Sequence, residues 1–113
     1  MDDVLQKTTT LMGDNATDTA TQDASGFEDT FRSDTAVVSA VVHKRVNCSL
    51  NQETAATKSG PWNVAATVDS TGVVYLQAQP GAANKLERYL RWRVAATVAN
   101  WEICFRLGMV LKD

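Results

Sequence analysis

The chain has 113 residues, of which 44% are hydrophobic and 21% charged, and its formal net charge is −2. This length suits one domain with a real core, and the composition is ordinary for a soluble globular protein. No apolar run approaches the roughly 18 residues that a membrane span needs. The start Met1-Asp2-Asp3 lacks the basic and apolar blocks of a secretory signal. We therefore expect one soluble domain with no membrane partner.

The charge is divided unevenly along the chain. Residues 1–34 hold eight acidic and two basic residues, a net charge of −6, whereas residues 35–113 hold five acidic and nine basic residues, a net charge of +4. The first segment also holds seven threonines, and such a composition cannot offset its own ordering entropy. We predict an acidic, threonine-rich N-terminal arm over 1–34 and a β-domain over 35–113. The arm is either a tether between subunits, which we favour, or a disordered leader.

Two phenylalanines in the arm are candidate anchors. Phe27 and Phe31 are four residues apart and follow Gly26. At this spacing both side chains share one side of a short helical turn, and the segment also suits an edge strand. We expect both residues to bind a protein partner.

From Thr35 the pattern is typical of β-strands. Residues 37–50 are rich in valine and long enough for two fused strands. One face of the second half carries Val42, Val46, Cys48 and Leu50. Residues 51–61 have the composition of a loop and end in a Gly-Pro breaker.

Two further strands follow this loop. Residues 62–68 alternate, with Trp62, Val64, Ala66 and Val68 inward. After a turn over 69–72, residues 73–79 return as the partner strand, which predicts a hairpin.

The last two segments, 88–97 and 101–111, alternate strictly. The inward residues of the first are Leu90, Trp92 and Val94, and those of the second are Trp101, Ile103, Phe105, Leu107, Met109 and Leu111. A period of two is typical of half-buried antiparallel strands. With several strands and no convincing helix, we predict an all-β fold, a small antiparallel β-sandwich or jelly-roll-like barrel with an extended N-terminal arm. The tryptophans at 62, 92 and 101 should lie in its core.

Arginines occupy the outward positions of these two strands. We predict that these two strands pair with each other through a short turn. A four-residue loop sets Arg91 opposite Arg106, and a two-residue turn sets Arg93 opposite Arg106. Directly opposed like charges destabilise a sheet, so we expect compensation by Glu102, by the acidic arm or by an external anion. The alternative is a solvated face with splayed side chains. The three arginines are candidate partner-binding residues, and nucleic acid is not expected because the clear aromatics face inward.

No pattern of catalytic or metal-binding residues is present. His43 lies in a valine-rich strand beside Lys44 and Arg45, which is typical of a surface position. Cys48 should point inward and Cys104 outward, so we expect two free thiols. The sequence predicts a protein that is not an enzyme and needs no cofactor or metal.

Several segments resemble small β-sandwich virion proteins of tailed bacteriophages. They are Val46-Asn-Cys-Ser-Leu-Asn51, Gly60-Pro-Trp-Asn63, Arg88-Tyr-Leu-Arg-Trp-Arg-Val94 and Trp101-Glu-Ile-Cys-Phe-Arg-Leu107. The Arg88 segment and the final strand match best. The first departs from the pattern, because Asn51-Gln52-Glu53 replaces an Asn-Asp-Gly-like turn and a longer loop precedes Trp62. The resemblance covers residues 42–112 at most.

This resemblance implies a structural role. The expected function is a head decoration or cement protein that binds the major capsid protein, copies of itself, or both. It would be a homo-oligomer on the capsid surface of the virion, assembled in the host cytoplasm. A neck or tail component is a variant of the same role.

Two other functions use the same kind of sandwich. A carbohydrate-binding module would need exposed aromatics, for which Tyr75, Tyr89 and Trp62 are the candidates. A tail or adhesin appendage would recognise a host surface. Glycan binding that fails in Trp62→Ala or Tyr89→Ala would favour the module, whereas salt-sensitive attachment to a shell that needs residues 1–34 would favour the structural role.

Overall fold

The computed structural model describes residues 2–30, 33–79, 81 and 84–112. These residues form ten β-strands and one short 3₁₀ turn over Ala24–Gly26. The strands are β1 (Asp2–Leu5), β2 (Thr9–Gly13), β3 (Thr19–Thr21), β4 (Glu28–Asp29), β5 (Thr35–Val46), β6 (Cys48–Ala55), β7 (Asn63–Thr67), β8 (Gly72–Gln77), β9 (Tyr89–Ala96) and β10 (Trp101–Lys112).

The strands build two five-stranded antiparallel sheets. Sheet 1 has the order β1-β10-β5-β8, with β2 also paired to β10, and sheet 2 has the order β3-β9-β6-β7, with β4 also paired to β9. If β1 with β2, and β3 with β4, are each taken as one interrupted strand, the chain makes eight strands that cross to the other sheet at every connection except that between β6 and β7, as in a jelly roll. The predicted all-β antiparallel sandwich is therefore confirmed.

The core lies between the sheets and follows the predicted alternation in the C-terminal strands. All six inward residues of β10 are buried, and so are Leu90 and Val94 of β9. Trp92 is partly buried and meets the ring of Phe105 edge to face, with 5.2 Å between ring centroids. Cys48 is buried and Cys104 half-buried, in keeping with their predicted faces.

Trp62 does not lie in the core, contrary to the prediction. β7 pairs with β6 through a register shift between Gln52 and Glu53, and this bulge changes which residues of the strand point inward. Ala65 and Val68 are buried, whereas Val64 is 56% exposed. Trp62 is half-buried on the outer side of sheet 2.

The N-terminal segment forms strands on its own chain. β1 and β2 pair with β10, and β3 and β4 pair with β9, so the segment supplies one edge of each sheet. After β4, the buried hydroxyl of Thr30 donates to the carbonyl oxygens of Glu87 and Arg88 at 2.7 and 2.8 Å. The division of the chain at residue 34 stays a prediction.

Two predicted strand pairings are wrong. β7 and β8 do not form a hairpin, because β7 pairs with β6 and β8 pairs with β5. β9 and β10 likewise lie in different sheets, so neither Arg91 nor Arg93 is opposite Arg106. In this topology the short connections cross from one sheet to the other, and alternation alone does not reveal which sheet a strand enters.

The long valine-rich segment is two strands, as predicted. Asn47, with φ of 57°, lies between them and is held by hydrogen bonds from its side chain to the carbonyls of Ala99 and Asn100. His43 is the extra residue of a bulge against β10, so Val42 points inward while Val46 is outward and 40% exposed.

The predicted loop over 51–61 begins later than expected. Its first five residues, 51–55, continue β6, and four of them are buried. Buried polar side chains in this strand, Gln52, Glu53 and Thr54, gave it the composition of a loop.

Candidate protein-binding surfaces

The outer face of sheet 2 carries two of the predicted site residues. Arg91 and Arg93 both point outward from β9. On the neighbouring strand β6, Glu53 is directly opposite Arg91. Nε and Nη2 of Arg91 both lie 2.8 Å from Oε1 of Glu53. Nη1 of Arg93 lies 3.9 Å from Oε2 of the same carboxylate. Glu53 therefore supplies the counter-charge for Arg91 and Arg93. It lies in the segment for which the sequence predicts a loop.

Aromatic rings cover the Arg91–Glu53 pair. The guanidinium carbon of Arg91 lies 4.0 Å from the ring centroid of Trp62 and 5.6 Å from that of Phe27. The two rings pack edge to face, with centroids 5.0 Å apart. Phe27 thus contacts its own chain, directly after a 3₁₀ turn that the side chain of Asp23 caps.

This packing buries the pair unevenly. The side chains of Glu53 and Arg91 are 7% and 17% exposed, whereas that of Arg93 is 35% exposed. Arg93 therefore offers more of its guanidinium group to solvent than Arg91 does. Phe31, the second predicted anchor, lies outside the described residues. A role in partner binding for any of these residues stays a prediction.

Arg106 lies on the opposite side of the molecule, on the outer face of sheet 1. It is exposed and stands beside Val41 of β5. Several outward residues of this sheet are apolar. We define the valine face as the outward apolar residues of β5, β8 and β10, namely Val37, Val41, Val73, Tyr75 and Val110.

The valine face spans three neighbouring strands. Val37 is directly opposite Tyr75 on one side and Val110 on the other, so the three side chains form one row. In the next row the small residues Ser39 and Gly108 lie level with Val73. Tyr75 and Val73 are 62% and 54% exposed.

A groove of about 580 Å³ opens where the N-terminal strands are interrupted. Its lining includes Trp92, Gln22, Glu28, Gln6, Lys7 and Ser25. The amide of Gln22 accepts a hydrogen bond from the backbone N–H of Trp92 at 3.2 Å and donates to the carbonyl of Gly26 at 2.7 Å. Burial raises the pKa of the Glu28 carboxyl, and a hydrogen bond with Gln6 opposes that rise.

A second concavity, of about 420 Å³, lies at the other end of β2 and is lined in part by Met12, Asn100 and Trp101. Beside it the indole N–H of Trp101 donates to Oδ2 of Asp18 at 3.0 Å. This hydrogen bond, with that from the backbone of Asn15, holds the pKa of the Asp18 carboxyl below its ordinary value.

Within the described ranges, no group of three or more His, Cys, Asp or Glu side chains could hold a metal ion. His43 is exposed at its bulge. None of the residues that the structure describes belongs to a helix long and apolar enough to cross a membrane.

Comparison with known proteins finds few similarities. No family model matches the chain, and no curated protein matches it. Among solved structures, the chain is similar to one described as the crystal structure of PirA, with 12% identity, 92% of each chain covered and a TM-score of 0.43. We base no functional statement on this likeness.

Proposed function

We propose that the protein is a structural subunit of a tailed-phage particle, a head decoration or cement component that docks through its valine face. The observation that carries the proposal is the apolar outer face of sheet 1. The resemblance of residues 42–112 to β-sandwich virion proteins supports the phage assignment.

The valine face departs from the usual design of an antiparallel sandwich. Such a sheet normally presents polar side chains to water and apolar side chains to the core. Here the row Tyr75, Val37 and Val110 is apolar on the outside, while Ala36 and Val38 of β5 are fully buried on the inside. Contiguous exposed apolar surface of this kind marks interaction sites.

The shape of the face suits an extended protein surface. Its side chains are short apart from Tyr75, and Ser39 and Gly108 keep its middle low. An apolar centre with the exposed cations Arg106 and Lys112 on β10 near it has the usual anatomy of a protein interface. On a symmetric shell, many modest contacts of this type would add up to firm attachment.

The test uses particles purified on a density gradient from cells that produce the protein, mixed with the tagged full-length chain. We expect the chain to sediment with intact heads. The double variant Val37→Lys, Val110→Lys should lose at least tenfold in bound chain. Val64→Lys, which changes an exposed valine on the outer side of sheet 2, is the matched control and should bind normally. A wild-type chain that stays at the top of the gradient, or a control that fails as badly as the double variant, would contradict the proposal.

A carbohydrate-binding module is the second candidate, and the groove beside Trp92 favours it. An indole surface with nearby amide, carboxylate and ammonium groups is the usual lining of a polar small-molecule site. The aromatics first considered for this role are less suitable. One ring face of Trp62 carries Arg91, and the ring of Tyr89 has Arg88 at 5.1 Å and Lys58 at 5.8 Å from its centroid.

Glycan-array binding followed by titration of the best saccharide tests this candidate. Binding that weakens at least tenfold in Glu28→Gln and persists in Tyr89→Ala supports the groove. An array with no binding saccharide rules the module out.

A further inference from the structure

β8 is an edge strand of sheet 1, and no other described strand pairs with its outer side. The backbone N–H of Ala78 donates to the carbonyl of Asp34 at 2.8 Å, so even-numbered residues direct their peptide groups toward β5. Gln77 faces the other way, since its N–H reaches the carbonyl of Asn84 and its carbonyl accepts from Leu86. By the same alternation Val73 and Tyr75 direct their peptide groups away from the sheet. The side-chain amide of Asn84 donates to the carbonyl of Tyr75 at 3.5 Å, and a carbonyl oxygen can accept a second hydrogen bond.

Residues 84–86 cover the Gln77 end of this edge, but over Val73 and Tyr75 the strand itself carries few of the devices that usually prevent strand addition. Such devices are very short strands, charges, prolines, bulges and a covering helix or loop. β8, with the sequence Gly-Val-Val-Tyr-Leu-Gln, has neither a charged residue nor a proline, and its pairing with β5 runs without a register shift. In the described part of the chain the other edges differ. β7 contains a bulge, and the edges formed by β1 with β2 and by β3 with β4 are interrupted.

We propose that β8 pairs in antiparallel fashion with β8 of a second copy of this chain, with Val73 opposite Tyr75 of that copy. The inference deepens the proposed function and rests on it, because it names the chain itself as one partner at the valine face. In this register a two-fold axis passes beside Val74, and Val73 and Tyr75 of each chain exchange both peptide hydrogen bonds. Only odd-numbered residues of β8 direct their peptide groups outward. Two residues that face each other across the axis must therefore both be odd-numbered, as Val73 and Tyr75 are.

The register is complementary to itself. Each Tyr75 side chain would lie on the same sheet face as a Val73 side chain, an aromatic and β-branched cross-strand pair that occurs twice. No charge opposes another charge across the axis, since β8 is uncharged. A two-fold pairing of identical edges closes after two copies. It would also join two valine faces into one surface, which suits docking on a shell.

Sedimentation velocity of the full chain over a hundredfold concentration range tests the pairing. We expect a concentration-dependent shift from monomer to dimer. The variant Val73→Lys, Tyr75→Lys places lysines opposite lysines and should abolish the shift. The variant Val73→Glu, Tyr75→Lys places glutamates opposite lysines in the proposed register, so it should restore the dimer and make it weaken with salt. Both substituted positions are exposed, and circular dichroism checks that each variant is folded.

Amide hydrogen exchange supplies a second readout on the unmodified chain. Protection of the Val73 and Tyr75 amides should rise with protein concentration, while that of Leu76, which faces β5, should not change. A wild-type monomer at every concentration, or a Glu/Lys variant no more dimeric than the Lys/Lys variant, would overturn the pairing.

Particle binding separates this inference from the proposed function. A wild-type chain that is monomeric at every concentration and still sediments with heads overturns the pairing and leaves docking intact. A dimer that never binds heads overturns docking and leaves the pairing intact.

Discussion

Arg91 and Trp62 stack on the outer side of sheet 2, with the guanidinium carbon 4.0 Å from the indole centroid. The same arginine binds Glu53 of the neighbouring strand with two nitrogens at 2.8 Å. The stack therefore ties β9 to β6 and to the loop before β7, and Phe27 adds the N-terminal segment. A residue first considered for partner binding is thus packed against three other parts of its own chain.

Glu53→Ala should lower the free energy of unfolding by about 3 kcal/mol, the usual cost of removing one partner from a buried ion pair. The carboxylate is 7% exposed and faces two arginines, so its loss leaves Arg91 without a counter-charge under two rings. Urea unfolding followed by tryptophan fluorescence measures the change. Arg106→Ala, at an exposed position, is the control and should stay within about 0.5 kcal/mol of wild type. Equal effects of the two substitutions would argue against a stabilising role for the pair.

Asp18→Asn should change how stability depends on pH. The pKa of Asp18 is lowered in the fold, chiefly by the hydrogen bond from Trp101, so the carboxylate stabilises the folded state above its ordinary pKa of 3.8. This contribution is lost as the pH falls through the lower folded-state pKa. The stability difference between wild type and Asp18→Asn should thus be constant near neutral pH and shrink in acid.

Urea unfolding between pH 7 and pH 2 measures this difference. The same comparison of Asp18 with Asp18→Asn can be made in a Trp101→Phe background, which lacks the indole donor. There the stability difference should change less with pH. A difference that does not vary with pH in the wild-type background would show that the hydrogen bond has no influence on the titration.

Gln52→Met should stabilise the protein by about 1 kcal/mol, because an amide donor without a partner carries an uncompensated desolvation cost. Gln52 is 1% exposed and lies opposite Trp92, and its Nε2 makes no hydrogen bond to the residues that the structure describes. Methionine has a similar volume and no amide. Calorimetry should show a melting temperature higher by about 4 °C. A lower melting temperature would mean that the amide is satisfied in solution.

The two thiols should react at different rates. Burial raises the pKa of the Cys48 thiol, and the residue is fully covered, whereas Cys104 is half-buried on the outer side of β10. A chromogenic disulfide reagent should modify one thiol in the native protein and the second only on unfolding. Cys104→Ser should remove the faster phase, and a native protein in which both thiols react together would contradict the assignment.

The sequence predicts the inward faces of the C-terminal strands well. In β10 the alternation from Trp101 to Leu111 is unbroken, because the core lies on one side throughout. The alternation fails where a bulge intervenes. His43 reverses the parity of β5, and the shift beside Gln52 reverses that of β7, so Val46 and Val64 point outward. A bulge leaves no clear mark in the sequence.

The sheet to which each strand belongs could not be predicted. Strands that follow one another closely were expected to pair, yet in this topology β7 and β8, and also β9 and β10, enter different sheets. Both predicted registers, Arg91 opposite Arg106 and Arg93 opposite Arg106, are wrong for this reason. The Arg91–Glu53 pair was missed because the polar residues of β6 suggested a loop.

The valine face corresponds to a pattern in the sequence. Adjacent valines occur at 37–38, 41–42 and 73–74. In a strand, adjacent residues point to opposite faces, so each pair places one valine outside the core. A single pair is unremarkable, but three pairs on strands that become neighbours predict an apolar outer face.

Hydroxyl-radical footprinting of the chain, free and bound to purified heads, tests docking through the valine face most directly. Tyr75 is 62% exposed and should become strongly protected on binding, whereas Trp62 and Tyr89 on sheet 2 should keep their reactivity. Protection of Trp62 and Tyr89 with an unchanged Tyr75 would place the interface on the opposite side of the molecule and contradict the account.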